Sequence, residues 1–300
     1  EVDGTVRASA VGADGSVYIG GEFTSVGGSP RSGLAKFNPD GSLSSWNPSP
    51  NISTPGIWSM ALSGSTLYVG GAFSTIGGQS RTGLAAINTS DGLATSWNPS
   101  CNGVVYSIAV SGSVVYVGGP FSSVGGQTRN ALAAVDATTG LATSWNPAPT
   151  DSGQPSGLVT SIAVSGSTVY FAGGFDTVAG AARKNFAAVT ASDGTATSWN
   201  PNAAATEAFA YALVASGSAI YVGGGFTSLG GQSRTDLAAV NTTDGTATAW
   251  NPGLTGTGVT SLALSGSTIY VGGLFTAIGG QSRNNIAALS TTTGLAAAWN

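Results

Sequence analysis

The chain contains no histidine, one cysteine (Cys101), two lysines (Lys36 and Lys184) and three glutamates (Glu1, Glu22 and Glu207) among 300 residues. Each shortage removes a class of chemistry. Without His there is no Ser-His-Asp triad and no imidazole to hold a metal. A single Cys excludes an internal disulfide framework and a thiolate cluster, and leaves the redox compartment unread. Charged residues form 7% of the chain, against roughly 25% in ordinary soluble domains. The 9 Lys and Arg against 13 Asp and Glu give a net charge of −4, which argues against a nucleic-acid footprint. No apolar run approaches the roughly 18 residues of a spanning helix, so no membrane span is expected in this segment. The chain begins at Glu1 with neither an initiator Met nor a signal peptide, as expected of a processed or excised piece. Glycine and apolar residues are abundant: 47 Gly and 41% hydrophobic residues supply a large core and exclude disorder.

Self-comparison resolves six copies of one pattern. Tyr recurs at 18, 68, 116, 170, 221 and 270, and Phe follows five residues later each time. Eight residues after each Phe comes an Arg: Arg31, Arg81, Arg129, Arg183, Arg234 and Arg283. The next Trp lies 15 residues beyond the first of these and 16 beyond the other five, giving Trp46, Trp97, Trp145, Trp199, Trp250 and Trp299. From each Trp to the following Tyr the spacing drifts through 22, 19, 25, 22 and 20. Insertions are therefore tolerated in that one connection, and the rest is a rigid frame.

Short Val/Ile/Leu/Tyr runs punctuated by Ser-Gly, Gly-Gly and Asp-Gly favour strands over helices. Four fit in each unit, read in the third as 104–110, 114–119, 131–137 and 141–146. The first two join at a tight Ser111-Gly112 hairpin. Asp40-Gly41, Asp91-Gly92, Asp193-Gly194 and Asp244-Gly245 supply the positive φ and local side-chain bonds of a second turn. One carboxylate per loop is too few for a calcium cage. A four-stranded sheet of about 50 residues cannot cover its own faces and must stack on its copies, which radial repetition allows. The expected fold is all-β: a six-bladed β-propeller with four antiparallel strands per blade and no strand exchanged between the termini. It forms one domain over 1–300, with blades at about 1–48, 49–99, 100–147, 148–201, 202–252 and 253–300. A linear β-solenoid is the competing geometry, with shorter coils.

The motif Tyr-Val-Gly-Gly-x-Phe-Thr-Ser-x-Gly-Gly-Gln-x-Arg, then Leu-Ala-Ala and a closing Trp-Asn-Pro, resembles the delta-60 repeat propellers of secreted and surface proteins. More loosely it is similar to kelch-like propellers, with a Gly-Gly pair after the second strand and a Trp some 26 residues on, as from Gly71 to Trp97. The resemblance covers essentially the whole chain and departs from the pattern at Phe171-Ala172-Gly173-Gly174 and Ala179-Gly180. It implies an extracellular propeller, often part of a larger surface protein, and no particular reaction. Some kelch-like propellers are copper oxidases, whose site needs His. Ser192-Asp193-Gly194-Thr195-Ala196-Thr197-Ser198-Trp199 is similar to a sialidase Asp box, but Gly194 stands where that motif has an intervening residue.

A residue present six times is architecture before it is a site. The six Arg have no matching acidic set, so main-chain carbonyls are their expected partners, gathered by a planar fork of five donors. The six Trp are expected in the core. Gln79, Gln127, Gln232 and Gln281, with their Arg and Trp, offer the alternative of a multivalent carbohydrate-binding surface. The Gly-Gly pairs lead into strands, so they lack the helix N-terminus of a phosphate loop. A single site is expected where unlike side chains converge at a channel mouth: Arg7, Trp58, Tyr106 and Tyr211, which share one repeat position with Thr160 and Thr260, plus Glu207, Phe209 and Asp151 from the connections. The same aromatics have a core role as the alternative. Glu22, Glu207 and Asp151 are the carboxylates a glycoside-acting enzyme would need. Asn51, Asn88 and Asn241 stand in glycosylation sequons. The expectation is a secreted or cell-surface structural or adhesive module. It has no catalytic residues, no cofactor and no metal, and its partners are other domains, copies of itself or glycans.

Overall fold

A computed structural model describes residues 1–154, 157–203 and 209–299. The chain is all-β there, and no helix is long and apolar enough to cross a membrane. It divides into two compact units, Glu1–Ala148 and Pro149–Asn300. Each unit carries three antiparallel sheets built alike, with the middle of three main strands at the centre.

In the first unit, sheet 1 is Thr5–Val11, Val17–Glu22 and Leu34–Phe37. Sheet 2 is Ile52–Ser63, Thr66–Phe73 and Leu84–Asn88. Sheet 3 is Ser107–Ser111, Val114–Gly118 and Leu132–Asp136. In the second unit, sheet 4 is Leu158–Ser165, Thr168–Gly174 and Phe186–Thr190. Sheet 5 is Phe209–Ser216, Ala219–Gly225 and Leu237–Asn241. Sheet 6 is Leu254–Ser265, Thr268–Ile278 and Ile286–Ser290.

The fourth segment differs from its expected strand. In the third repeat, 141–146 is held to the sheet by one bridge, Val135 to Ala142, and the same single bridge recurs at Leu43, Ala94, Ala196, Ala247 and Ala296. The reason lies in where its backbone groups go. The Ala142 N–H donates to the Gly125 carbonyl at the Gly-Gly turn, and the Thr143 carbonyl accepts from Arg129. An outer ladder cannot use groups already spent on the loop.

That loop is itself a miniature hairpin. Ser123–Val124 pairs with Gln127–Thr128 around Gly125-Gly126, both at positive φ (+59° and +77°), the backbone that a two-residue turn of this hand requires. In the fourth repeat Ala179 occupies the first turn position at φ +48° with Gly180 at +76°, so the departure noted in sequence keeps the geometry.

The repeated Arg ties the hairpin to the outer segment. The Arg31 guanidinium donates to the carbonyls of Pro30 and Ser44, and Arg81 to those of Ser80, Thr95 and Trp97. Arg129, Arg183, Arg234 and Arg283 each repeat the pair, bonding the preceding carbonyl and that of the residue 14 positions on. That second acceptor stands two residues before each Trp.

The Trp then closes the sheet onto its neighbour. Each indole meets the Tyr of its own sheet edge-on, with ring centroids 5.0 to 5.4 Å apart. The indole N–H crosses to the next sheet. Trp46 donates to the Asn88 carbonyl and Trp97 to that of Asp136, both at 2.9 Å, within the first unit. In the second unit Trp199 donates to Asn241 (2.8 Å) and Trp250 to Ser290 (2.9 Å). Around each lies a core drawn from two sheets: Tyr18, Leu34 and Trp46 pack with Ile57, Leu67, Val69, Phe73 and Ile87. Trp46, Trp97, Trp145, Trp199 and Trp250 are buried, whereas Trp299 is 47% exposed.

The Asp-Gly turns bond as their sequence suggests. Asp40, Asp91, Asp193 and Asp244 each accept the N–H two residues on. The Ser42 hydroxyl and N–H hold the Asp40 carboxyl below its ordinary range, and the Thr246 N–H and hydroxyl do the same for Asp244. The Thr190 hydroxyl, with Thr195, lowers Asp193 to about 2.

Trp97→Ala should lower stability by about 3 to 5 kcal/mol in urea unfolding, since it empties a core site and removes the indole bond to the next sheet; a loss under about 1 kcal/mol would place the ring outside the core. Because the Asp40, Asp193 and Asp244 carboxyls have lower pKa in the folded chain than in the unfolded one, the folded state holds fewer protons in acid. Stability should be full above about pH 4 and fall as pH drops toward 2, and Asp193→Asn should flatten that slope; an unchanged slope would remove Asp193 from the account.

Candidate functional site

Six residues share one repeat position, and the structure gives five of them a common backbone feature. The ladder between first and middle strands slips at Val6/Ala8, Ile57/Ser59, Val159/Ser161, Ala210/Ala212 and Val259/Ser261. Arg7, Trp58, Thr160, Tyr211 and Thr260 are the extra residues at those slips. Tyr106 stands just before Ser107–Ser111 and donates its N–H to the Gly118 carbonyl. A β-bulge re-aims a side chain out of the alternation, and bulges concentrate beside functional sites. The register slip was not legible from apolar alternation in the sequence.

In the first unit three of these side chains meet. The Arg7 guanidinium lies 4.4 Å from the Trp58 ring centroid and bonds the Glu22 carboxylate at 3.1 Å. Trp58 and Tyr106 stand 4.8 Å apart, tilted by 52°. The Thr54 hydroxyl donates to the other Glu22 oxygen at 3.2 Å. Arg7 is exposed, and Trp58 and Tyr106 are half-buried. Among the described residues the Trp58 indole N–H is buried with no acceptor.

In the second unit the same position is occupied differently. The Thr160 hydroxyl spans two sheets, bonding the carbonyls of Ala172 (3.1 Å) and Ala210 (2.7 Å). Tyr211 is 50% exposed, and no aromatic partner stacks on it among the described residues. Asp151 lies in the connection before sheet 4, where it accepts the Gly153 N–H and bridges to Gln154. Among the described residues it joins no bulge residue. Glu207 lies outside the described residues.

One residue that sequence reasoning passed over is Asp236. Its carboxylate is 7% exposed and accepts the Phe226 N–H at 3.1 Å and the Gly258 N–H at 2.8 Å. Superposing the six repeats gives the signal, because Gly33, Gly83, Ala131, Asn185 and Asn285 fill that position elsewhere.

Cys101 is buried, and burial pushes its thiol up to about 11, so it carries little thiolate at neutral pH. Among the described residues no three of Cys, Asp and Glu gather where they could hold one metal ion.

Two stretches, 12–43 and 268–291, match a family model described as a domain of unknown function (DUF5122) beta-propeller. No curated protein matches the chain. Among solved structures the fold is similar to the computationally designed Ika8 protein, with a TM-score of 0.56 at 14% identity over 98% of this chain and 87% of that one. It is similar to the extracellular domain of BT4673 from B. thetaiotaomicron, with a TM-score of 0.57 at 14% identity; 97% of this chain is covered, and it spans 35% of that longer one. Virginiamycin B lyase from Staphylococcus aureus gives a TM-score of 0.54 at 12% identity over 97% of this chain and 83% of that one. The antiparallel repeat and the family match both point to a β-propeller.

Proposed function

We propose that the chain is a non-enzymatic structural or adhesive β-propeller module of an extracellular or cell-surface protein, assembling with copies of itself or with other domains. In this reading the six sheets are six blades of one domain over 1–300, each completed to four strands by its bridge-held outer segment. Its kinship is with delta-60 repeat and kelch-like propellers.

The observation that carries the reading is the division of labour among side chains. Every repeated Arg is engaged with carbonyls, and five of the six repeated Trp are buried. Side chains that differ between repeats project from bulges, and the largest of them are Arg, Trp and Tyr. Those are the residue types that dominate binding energy at protein interfaces. The frame does not depend on them: an exposed ion pair such as Arg7–Glu22 contributes about 0 to 1 kcal/mol, and an exposed cation–π contact about 0.5 to 1. A chain without His, with a buried thiol and with few carboxylates supports the non-enzymatic reading. The exterior, rich in Ser, Thr and Gly and poor in charge, suits contact with like surfaces. One fold relative is an extracellular domain, which is consistent with surface display.

Electron microscopy of the native surface and sedimentation across concentration test this reading. Ordered contacts between copies, weakened at least about tenfold by Trp58→Ala with Tyr106→Ala while the melting temperature stays within a few degrees, are expected. Isolated single molecules at the surface and at every concentration would overturn it.

A further inference from the structure

The cleft between sheets 5 and 6 of the second unit differs in chemistry from its counterpart in the first. The cleft between sheets 2 and 3 encloses about 360 Å³ and has Gly83 where the repeat places this position. Its lining is uncharged. Between sheets 5 and 6 the volume is about 490 Å³, and the same position is Asp236. All six residues in this column hold a left-handed φ, +60° to +69°, and each N–H closes the loop onto the carbonyl of the repeat Phe. Glycine performs that task without strain. A Cβ on Gly83 would come within 2.6 Å of the Gly103 carbonyl oxygen, so the first-unit cleft has no room for a side chain there. Asp236 thus combines a strained backbone with a buried carboxylate, and among the described residues no Lys or Arg lines its cleft.

Such burial is costly unless the lone pairs are used. Two backbone N–H groups occupy one lone pair on each oxygen, which leaves each oxygen able to accept again. The neighbouring wall is backbone: Gly256 sits at φ +150°, and a Cβ there would lie 2.4 Å from the Leu274 carbonyl oxygen and the Phe275 Cα. Tyr211, half exposed and with no stacked ring among the described residues, forms another wall, with the exposed Thr235 and Thr257 at the rim. An aromatic face, a carboxylate with open acceptor sites and a hydroxyl rim match a ring with a C–H face and donor hydroxyls. A metal ion, which needs several oxygen ligands, would find one carboxylate among the described residues lining the cleft.

We propose that this cleft binds a neutral saccharide residue, with Tyr211 stacking on its C–H face and Asp236 accepting its hydroxyl protons. The site goes beyond the assembly reading and does not depend on it. Saturation-transfer NMR and titration of the whole chain with glucose, galactose, mannose and N-acetylglucosamine test it. At least one sugar should bind saturably, and Tyr211→Ala should weaken it at least about tenfold without changing the melting temperature. Asp236→Asn should also weaken it and lower the melting temperature, because an amide N–H₂ would face a backbone N–H; the Tyr211 variant keeps the test valid if that chain fails to fold. The proposal is overturned if none of the sugars binds, if Tyr211→Ala binds as the wild type does, or if tetramethylammonium or calcium occupies the cleft more tightly than any sugar.

Discussion

The indole N–H of a tryptophan, donated to the last carbonyl of the adjoining sheet's third strand, is the contact on which the rest of each unit depends. A three-stranded sheet this small leaves one face open, and only another sheet can cover it. Dispersion and area burial would permit many sliding arrangements of two apolar faces. A hydrogen bond from a rigid ring to a single main-chain oxygen permits one. Trp46 and Trp97 fix sheet to sheet in the first unit, and Trp199 and Trp250 do so in the second. The Arg fork supports this by holding the carbonyl two residues upstream, so the ring is delivered at a constant height. The fixed Arg-to-Trp spacing and the drifting Trp-to-Tyr spacing are two sides of that arrangement.

Much of this was legible in the sequence because the constraint acts on spacing. Tyr, Phe, Arg and Trp recur at set intervals since each occupies one point of a repeated three-dimensional frame, and the excess of Arg over matching acids pointed to carbonyl partners. The outer strand was less legible. Leu141 to Pro147 alternates as a strand would, yet its N–H and C=O groups bond the Gly-Gly hairpin and Arg129, a competition that composition does not display. The bulges were hidden for a related reason: one inserted residue shifts the ladder without altering the apolar pattern on either side. Asp236 was missed because Thr-Asp-Leu reads as an ordinary polar loop until its column of glycine, alanine and asparagine is set beside it.

Functional potential then resides in what the frame does not consume. In the first unit Arg7, Trp58 and Tyr106 form a continuous polar-aromatic strip drawn from three repeats, with Arg7 and Trp58 at breaks in strand pairing. In the second unit threonines take two of the corresponding places, one of them spending its hydroxyl on carbonyls of two sheets, and Tyr211 is half exposed. The two units share a frame and differ in the surface chemistry mounted on it. These positions can vary because the Trp-to-carbonyl contacts between sheets involve none of them.

Hydrogen exchange of the tryptophan indole protons, followed by nitrogen-edited NMR, addresses the central contact most directly. The account predicts that the indole protons of Trp46, Trp97, Trp199 and Trp250 exchange only on unfolding of their unit, while that of Trp299 exchanges orders of magnitude faster. Rapid exchange of the four, at the rate of Trp299, would contradict it.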